Sequence, residues 1–178
     1  INEVLDLSKI ESGNMTISIE EVPLHSLLSE ILELLQPMLN AKKISFNAAP
    51  LETSGITVLA DRVRLKQVLL NLISNAVKYN HPGGSISVAC RKLEDSKIQI
   101  SVQDTGVGIS PENLEKIFNP FHRVESKTEP IEGTGIGLTI SRKLIHMING
   151  SLEVKSEEGK GSCFFITLPA VGSPSSLE

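Results

Sequence analysis

Apolar positions recur along this chain at two spacings, one helical and one alternating, and the switches between them mark out its elements. Ile1, Val4, Leu5 and Ile10 follow helical spacing over residues 1–11, and Gly13 and Asn14 stop that helix. So short a helix is marginal alone, and it reads as the end of a longer one. Met15, Ile17 and Ile19 alternate and predict a strand over residues 15–20. Leu24, Leu27, Leu28, Ile31, Leu34 and Leu35 form the apolar face of a second helix entered at Pro23, with Pro37 as a candidate kink. Residues 44–48 and 57–60 read as short strands around a loop over 50–55. Asp61 is placed to cap a third helix running to about Tyr79, and His81-Pro82-Gly83-Gly84 breaks it. Residues 85–91 and 97–104 alternate and predict a hairpin that turns at Glu94-Asp95-Ser96. Pro111 opens a short helix ending near Phe118, residues 119–132 are polar and irregular, and 134–147 are amphipathic and helical. A last strand pair, 151–156 and 162–168, is joined through Glu158-Gly159-Lys160-Gly161. The sum is an α+β fold, a two-layer α/β sandwich with a mostly antiparallel sheet and helices on one face.

Composition narrows this picture. The chain has 178 residues, 40% of them hydrophobic, with no Trp, one Tyr and five Phe, so Ile, Leu and Val must build the core. The net charge of −4 and the dispersed basic residues exclude a nucleic-acid footprint. No apolar run approaches a membrane span, and INEVLDLSKIES lacks the layout of a signal peptide. Cys90 and Cys163 read as reduced, mostly buried thiols, which fits a reducing, cytoplasmic compartment, and no metal-ligand spacing of Cys or His occurs. The opening at Ile1 and the closing Leu177-Glu178 predict an excised piece of a longer protein with a cloning scar in a disordered tail over 171–178.

Three segments carry candidate chemistry. On the third predicted helix, Leu65, Val68, Leu69, Leu72 and Ala76 form the sheet-facing arc. Asn71, Asn75 and Lys78 form a neighbouring arc at i, i+4 and i+7, with Tyr79 on the border. Amide oxygens are hard ligands that complete a magnesium shell, an ammonium neutralises phosphate and an aromatic flanks a base. The same stripe also suits a solvated polar edge. Asp104 shares a strand face with Ile98, Ile100 and Val102, so its carboxylate must find donors in a core-directed position. The glycines of Thr105-Gly106-Val107-Gly108-Ile109 allow close backbone approach, and such a carboxylate can accept from the exocyclic amine of adenine. Capping of the Pro111 helix, or satisfying its own turn, is the alternative. Gly133-Thr134-Gly135-Ile136-Gly137-Leu138 opens a helix, whose N-terminal N–H groups are natural phosphate ligands. A hinge has the same composition. The dinucleotide pattern needs Gly at 138, where Leu stands, and neither a P-loop nor a protein-kinase catalytic loop is present.

The ordered set resembles the catalytic, ATP-binding domain of sensor histidine kinases, within the superfamily that includes gyrase, mismatch-repair and chaperone ATPases. RLKQVLLNLISNAVKYN (64–80) matches the N box, DTGVGIS (104–110) the first glycine box, IFNPFHR (117–123) the F box and GTGIGL (133–138) the second glycine box. The resemblance implies a Bergerat-type fold over residues 14–170, with 1–13 the end of the dimerisation and phosphoacceptor hairpin. It implies ATP and Mg²⁺ as ligands. Asn75, with Asn71 beside it, would coordinate the metal, Lys78 and Arg123 would contact phosphates, and Asn75, Lys78 and Arg123 would be the catalytic group. Tyr79 would pack on the adenine and Asp104 would read its amine over a floor shaped by Gly106, Gly108 and Ile109. Phe118 and Phe121 would anchor a lid over 119–132, and Gly133, Thr134, Gly135, Gly137 and Leu138 would close over the phosphates. The family's phosphoacceptor His lies upstream in a helix, and none of His25, His81, His122 and His146 occupies such a place. His25, His81 and His146 read as surface or boundary residues, whereas His122 lies in the lid region. The implied activity is transfer of the ATP γ-phosphoryl to a His outside this chain and thence to a response-regulator Asp. The implied parent is a homodimer, soluble or membrane-anchored, and this part of it is cytoplasmic. A conformational ATPase and a non-enzymatic module on the same fold are the rival readings.

Overall fold

The computed structural model describes residues 2–48, 55–123 and 133–171. Ile1, nearly all of the loop predicted over 50–55, residues 124–132 of the expected lid and 172–178 of the expected tail lie outside the described residues. The elements are α1 (Asn2–Glu11), β1 (Glu20–Pro23), α2 (Leu24–Ala41), β2 (Ser45–Ala48), β3 (Thr57–Ala60) and α3 (Arg62–Lys78). They continue with β4 (Ser85–Leu93), β5 (Lys97–Asp104), α4 (Pro111–Leu114), α5 (Gly137–Met147), β6 (Ser151–Glu157) and β7 (Gly161–Pro169).

The main sheet has the order β2-β4-β5-β7-β6, with β2 parallel to β4 and the other pairs antiparallel. Its alternation is the one read from the sequence. Ile98, Ile100 and Val102 of β5 point into the core beside Ile86, Val88, Phe164, Ile166 and Leu168. The apolar arc of α3, from Leu65 to Val77, lies against the same layer, and α2 and α5 pack alongside α3. Burying each such Leu or Ile contributes roughly 1.5–3 kcal/mol. The opposite face carries Ser87, Gln99, Ser101 and Thr167, all part-exposed, so the molecule is a two-layer sandwich. β1 and β3 form a separate antiparallel pair, tied to the end of β7 by a bridge between Val58 and Ala170.

Several expectations need correction. Residues 15–19 are not a strand, although Met15 is buried. Pairing with β3 starts only at Glu20, which lies opposite Ala60. The next residue, Asp61, ends β3 and takes the Ser18 N–H on its carboxylate at 2.9 Å, so nothing remains for residues 15–19 to pair with. Asp61 also caps α3 as expected, accepting the Arg64 N–H at 3.0 Å. Pro23 ends β1 and caps α2 in extended geometry, and α2 continues through Pro37 to Ala41. The β4–β5 connection, Glu94-Asp95-Ser96 between the paired Leu93 and Lys97, places Asp95 and Ser96 in the left-handed region at φ 60° and 53°. α4 is shorter than expected and passes into turns before Phe118. α5 begins at Gly137 rather than Thr134, because Gly135 sits at φ +72°, outside helical geometry. Cys90 and Cys163 are unpaired and partly buried, and burial pushes the Cys90 thiol up to about 11.

Candidate functional site

Asp104 ends β5 at 7% exposure. Its Oδ1 accepts the N–H of Gly106 at 2.8 Å and that of Ser162 at 3.3 Å, while Oδ2 takes no hydrogen bond among the described residues. Burial raises its pKa above the ordinary value, against the pull of those two N–H groups. The turn that follows is pressed on two sides. A Cβ at Gly106 would meet the Tyr79 carbonyl at 2.4 Å, and Val107 N–H donates to that carbonyl at 3.1 Å. Gly108 has φ +70°, and a Cβ there would meet the Glu157 carbonyl at 2.0 Å. The base of the turn is held by buried Asn80, whose Nδ2 donates to Ser85 O at 3.0 Å and whose Oδ1 accepts from His81 N at 2.9 Å and from Thr105 Oγ1 at 3.3 Å. Lys42 Nζ donates to the carbonyls of Val77 and Lys78 at 3.0 and 2.6 Å, at the end of α3 where Val77 O also accepts the Asn80 N–H at 3.3 Å.

The polar stripe of α3 runs up from that turn. Tyr79 caps the helix at its border and is half-buried. Asn75, one turn earlier, is half-buried and its carboxamide has no partner among the described residues. Lys78 is exposed. Asn71 donates from Nδ2 to Ser141 Oγ of α5 at 2.9 Å, and a Cβ at Gly137 would meet Asn71 Oδ1 at 2.6 Å. The first turn of α5 therefore abuts one end of the stripe and the Asp104 turn abuts the other, with Asn75 between them. The structure brings Asn71, Asn75, Tyr79, Asp104, Gly106 and Gly137 together in this way.

The remaining expected residues frame this arrangement. Phe118 is buried, its carbonyl accepts from Thr139 Oγ1 at 2.9 Å, and the Arg142 guanidinium lies 4.5 Å over its ring. Phe121 differs from its expected anchoring role: its side chain is 67% exposed, and its hold is the backbone N–H donated to Gly135 O at 2.9 Å. Arg123 runs beside Gly135, its Cγ 3.1 Å from where a Cβ would stand. Thr134 is exposed and bonds Glu3 of α1, and a Cβ at Gly133 would meet nothing. Ile109 and Leu138 pack on the edge of the core. His122 Nε2 lies 3.2 Å from Asn113 Oδ1, and His25, His81 and His146 are exposed.

The sequence reading missed Ser141, Asn80, Ser156 and Ser162. Ser156 and Ser162 had a signal. They continue the core-facing phases of Leu152–Val154 and Phe164–Ile166, as Asp104 continues that of β5. A groove of about 420 Å³, lined by Ile56, Leu93 and Lys97 among others, lies at the opposite end of β5 and holds none of the motif residues.

Chemically, a buried carboxylate with one oxygen lacking a donor is suited to an amine. A carboxamide without a partner is suited to a hard cation, and a helix start beside it to an anion. The family model described as histidine kinase-, DNA gyrase B-, and HSP90-like ATPase matches residues 60–172. The chain belongs to this family. It is an ATP-binding catalytic domain of the sensor-histidine-kinase kind. The chain is 39% identical over 178 residues to the autoinducer 2 sensor kinase/phosphatase LuxQ of Vibrio vulnificus strain YJ016, a match covering 95% of this chain and 20% of LuxQ. It thus spans about a fifth of the length of the curated relatives it matches. The structure of full-length ShkA in complex with AMPPNP superposes with TM-score 0.80 at 30% identity, covering 95% of this chain and 35% of that one. Histidine kinase ThkA in complex with the response regulator TrrA gives TM-score 0.69 at 28% identity, covering 94% of this chain and 48% of that one. Among the described residues no helix is long and apolar enough to cross a membrane.

Proposed function

We propose that this chain is the catalytic domain of a two-component sensor histidine kinase, which transfers the γ-phosphoryl of Mg·ATP to a histidine outside these residues. The receiver domain of a response regulator would then take the phosphoryl on an aspartate, in keeping with the complex of ThkA and TrrA. Residues 1–13 would close the dimerisation hairpin of a homodimeric parent, and 14–170 would form the catalytic domain. The observation that carries the reading is the half-satisfied, buried carboxylate of Asp104 beneath a glycine turn that rests on Tyr79.

The roles of Asp104 and Asn75 follow from what their side chains lack among the described residues. Asp104 Oδ2 accepts the adenine amine, and Tyr79 flanks the ring on a floor of Gly106, Gly108 and Ile109. Asn75, with Asn71 beside it, holds magnesium through amide oxygens. Bound magnesium supplies charge neutralisation across the phosphates. Lys78 and Arg123 contact phosphate oxygens, and the loop from Gly133 through Thr134, Gly135 and Gly137 to Leu138 covers them. Phe118 fixes the root of the lid, with Phe121 and His122 further along it. The chain's own contribution is position and preorganised charge, because phosphoryl transfer asks little covalent chemistry of a protein.

The test supplies the parent's histidine-bearing hairpin in trans with labelled ATP. Transfer to that histidine is expected, reduced about 100-fold or more by Asn75→Ala, with no acid-labile phosphate on the 178-residue chain alone. Label on the chain alone, or transfer untouched by Asn75→Ala, contradicts the proposal. Steady ATP turnover without any acceptor would favour the conformational ATPase.

A further inference from the structure

The β6–β7 hairpin carries none of the family's nucleotide motifs, yet it touches the Asp104 turn at every level. Gly159 N–H donates to Val107 O at 2.7 Å, and Ile109 N–H donates to Ser156 Oγ at 2.8 Å. Ser162 N–H reaches Asp104 Oδ1 at 3.3 Å. Gly161, at φ +111°, leaves no room for a Cβ, which would stand 2.0 Å from Asp104 O.

Ser156 lies at the centre of this seam. Its hydroxyl accepts from Ile109, donates to Gly161 O at 2.9 Å and lies 2.8 Å from Ser162 Oγ. One hydroxyl has a single proton. With that proton on Gly161 O, Ser162 must be the donor in the pair of serines. The order is then fixed: Ser162 O–H donates to Ser156 Oγ, and Ser156 O–H donates to Gly161 O. Both the far end of the glycine turn, at Ile109, and the residue whose N–H holds Asp104 are thus referred to one hydroxyl.

We propose that Ser156 is a positioning residue for nucleobase recognition, setting the Asp104–Ile109 turn against the β6–β7 hairpin through Ile109 N–H and Ser162. The inference rests on the ATP-site reading above and adds to it a residue that touches no ligand. Removing the hydroxyl leaves the Ile109 N–H without its acceptor and frees Ser162 to rotate. The turn loses its distance from the hairpin, while the fold keeps its ladder of β6–β7 backbone bonds. The loss falls on the contact that reads the amine, so it is selective for the base.

The experiment measures Mg·ATP and Mg·ITP affinities of the 178-residue chain by calorimetry, alongside thermal melts, for wild type, Ser156→Ala and Ser156→Thr. ITP has a carbonyl where ATP has the amine, so the ratio of the two affinities reports the Asp104 contact. Ser156→Ala is expected to weaken ATP about five- to ten-fold, leave ITP and the melting temperature nearly unchanged, and so shrink the ATP/ITP ratio. Ser156→Thr, which keeps the hydroxyl, should restore the ratio. An unchanged ATP affinity in Ser156→Ala overturns the inference, and so does an equal loss for both nucleotides with a lowered melting temperature. Absence of ATP binding by wild type would overturn the site reading itself, and the inference with it.

Discussion

At the scale of a residue, Asp104 is defined by an imbalance: two N–H donors on Oδ1, none on Oδ2 among the described residues, and little water. Burial favours the protonated acid and lifts the pKa above its ordinary 3.8. A raised value in an acid means that the folded chain binds a proton more readily than the unfolded one. Without ligand, this group therefore gains stability as pH falls through the raised value towards 3.8. Nucleotide binding runs the other way, because an amine needs the ionised acceptor. Affinity for an ATP analogue should hold at neutral pH and fall through that same window above 3.8, and Asp104→Asn should remove the dependence. Calorimetric titrations across pH check this, and an equal slope in the variant would contradict it. The sequence displayed Asp104 because a charge stood on an apolar strand phase. Ser156 and Ser162 stood on such phases too, but a hydroxyl near a turn carries less contrast than a carboxylate and is met in ordinary strand ends. Only the register of β6 on β7 shows that they face each other.

At the scale of elements, the helix period of α3 and the alternation of β4, β5 and β7 were legible, since each has one buried face. The misplaced strand lies where alternation had no neighbour to answer it. Met15, Ile17 and Ile19 alternate like a strand, but β3 is spent at Ala60. The real strand, Glu20-Glu21-Val22-Pro23, has a single buried side chain and no pattern to read. Asp61 joins the two events, capping α3 through Arg64 N–H and anchoring residue 18. Its carboxylate is 7% exposed in the whole residue's terms, so both bonds count. Asp61→Ala should destabilise the fold by about 2–3 kcal/mol, a cap and a further charge-assisted bond together. Urea unfolding measures it, and a loss under about 0.5 kcal/mol, the scatter of ordinary surface changes, would show that Asp61 holds neither.

At the scale of the molecule, the candidate site is a meeting of ends: the last residue of β5, the last turn of α3, the first turn of α5 and the root of the β6–β7 hairpin. The sheet order makes this possible by placing β5 between β4 and β7, and no sequence period specifies that order or the parallel pairing of β2 with β4. The glycine motifs were legible as motifs, but their reasons were not. Gly106 has no room because of Tyr79 O, Gly137 because of Asn71, and Gly108 because of Glu157, and each neighbour is distant in sequence. The most direct measurement is calorimetric titration of this chain with a magnesium-bound, non-hydrolysable ATP analogue, beside Asp104→Asn. Saturable binding by wild type, weakened about 30-fold in the variant by loss of a charged acceptor worth about 2 kcal/mol, is the predicted result. Equal affinity in the two proteins would contradict it.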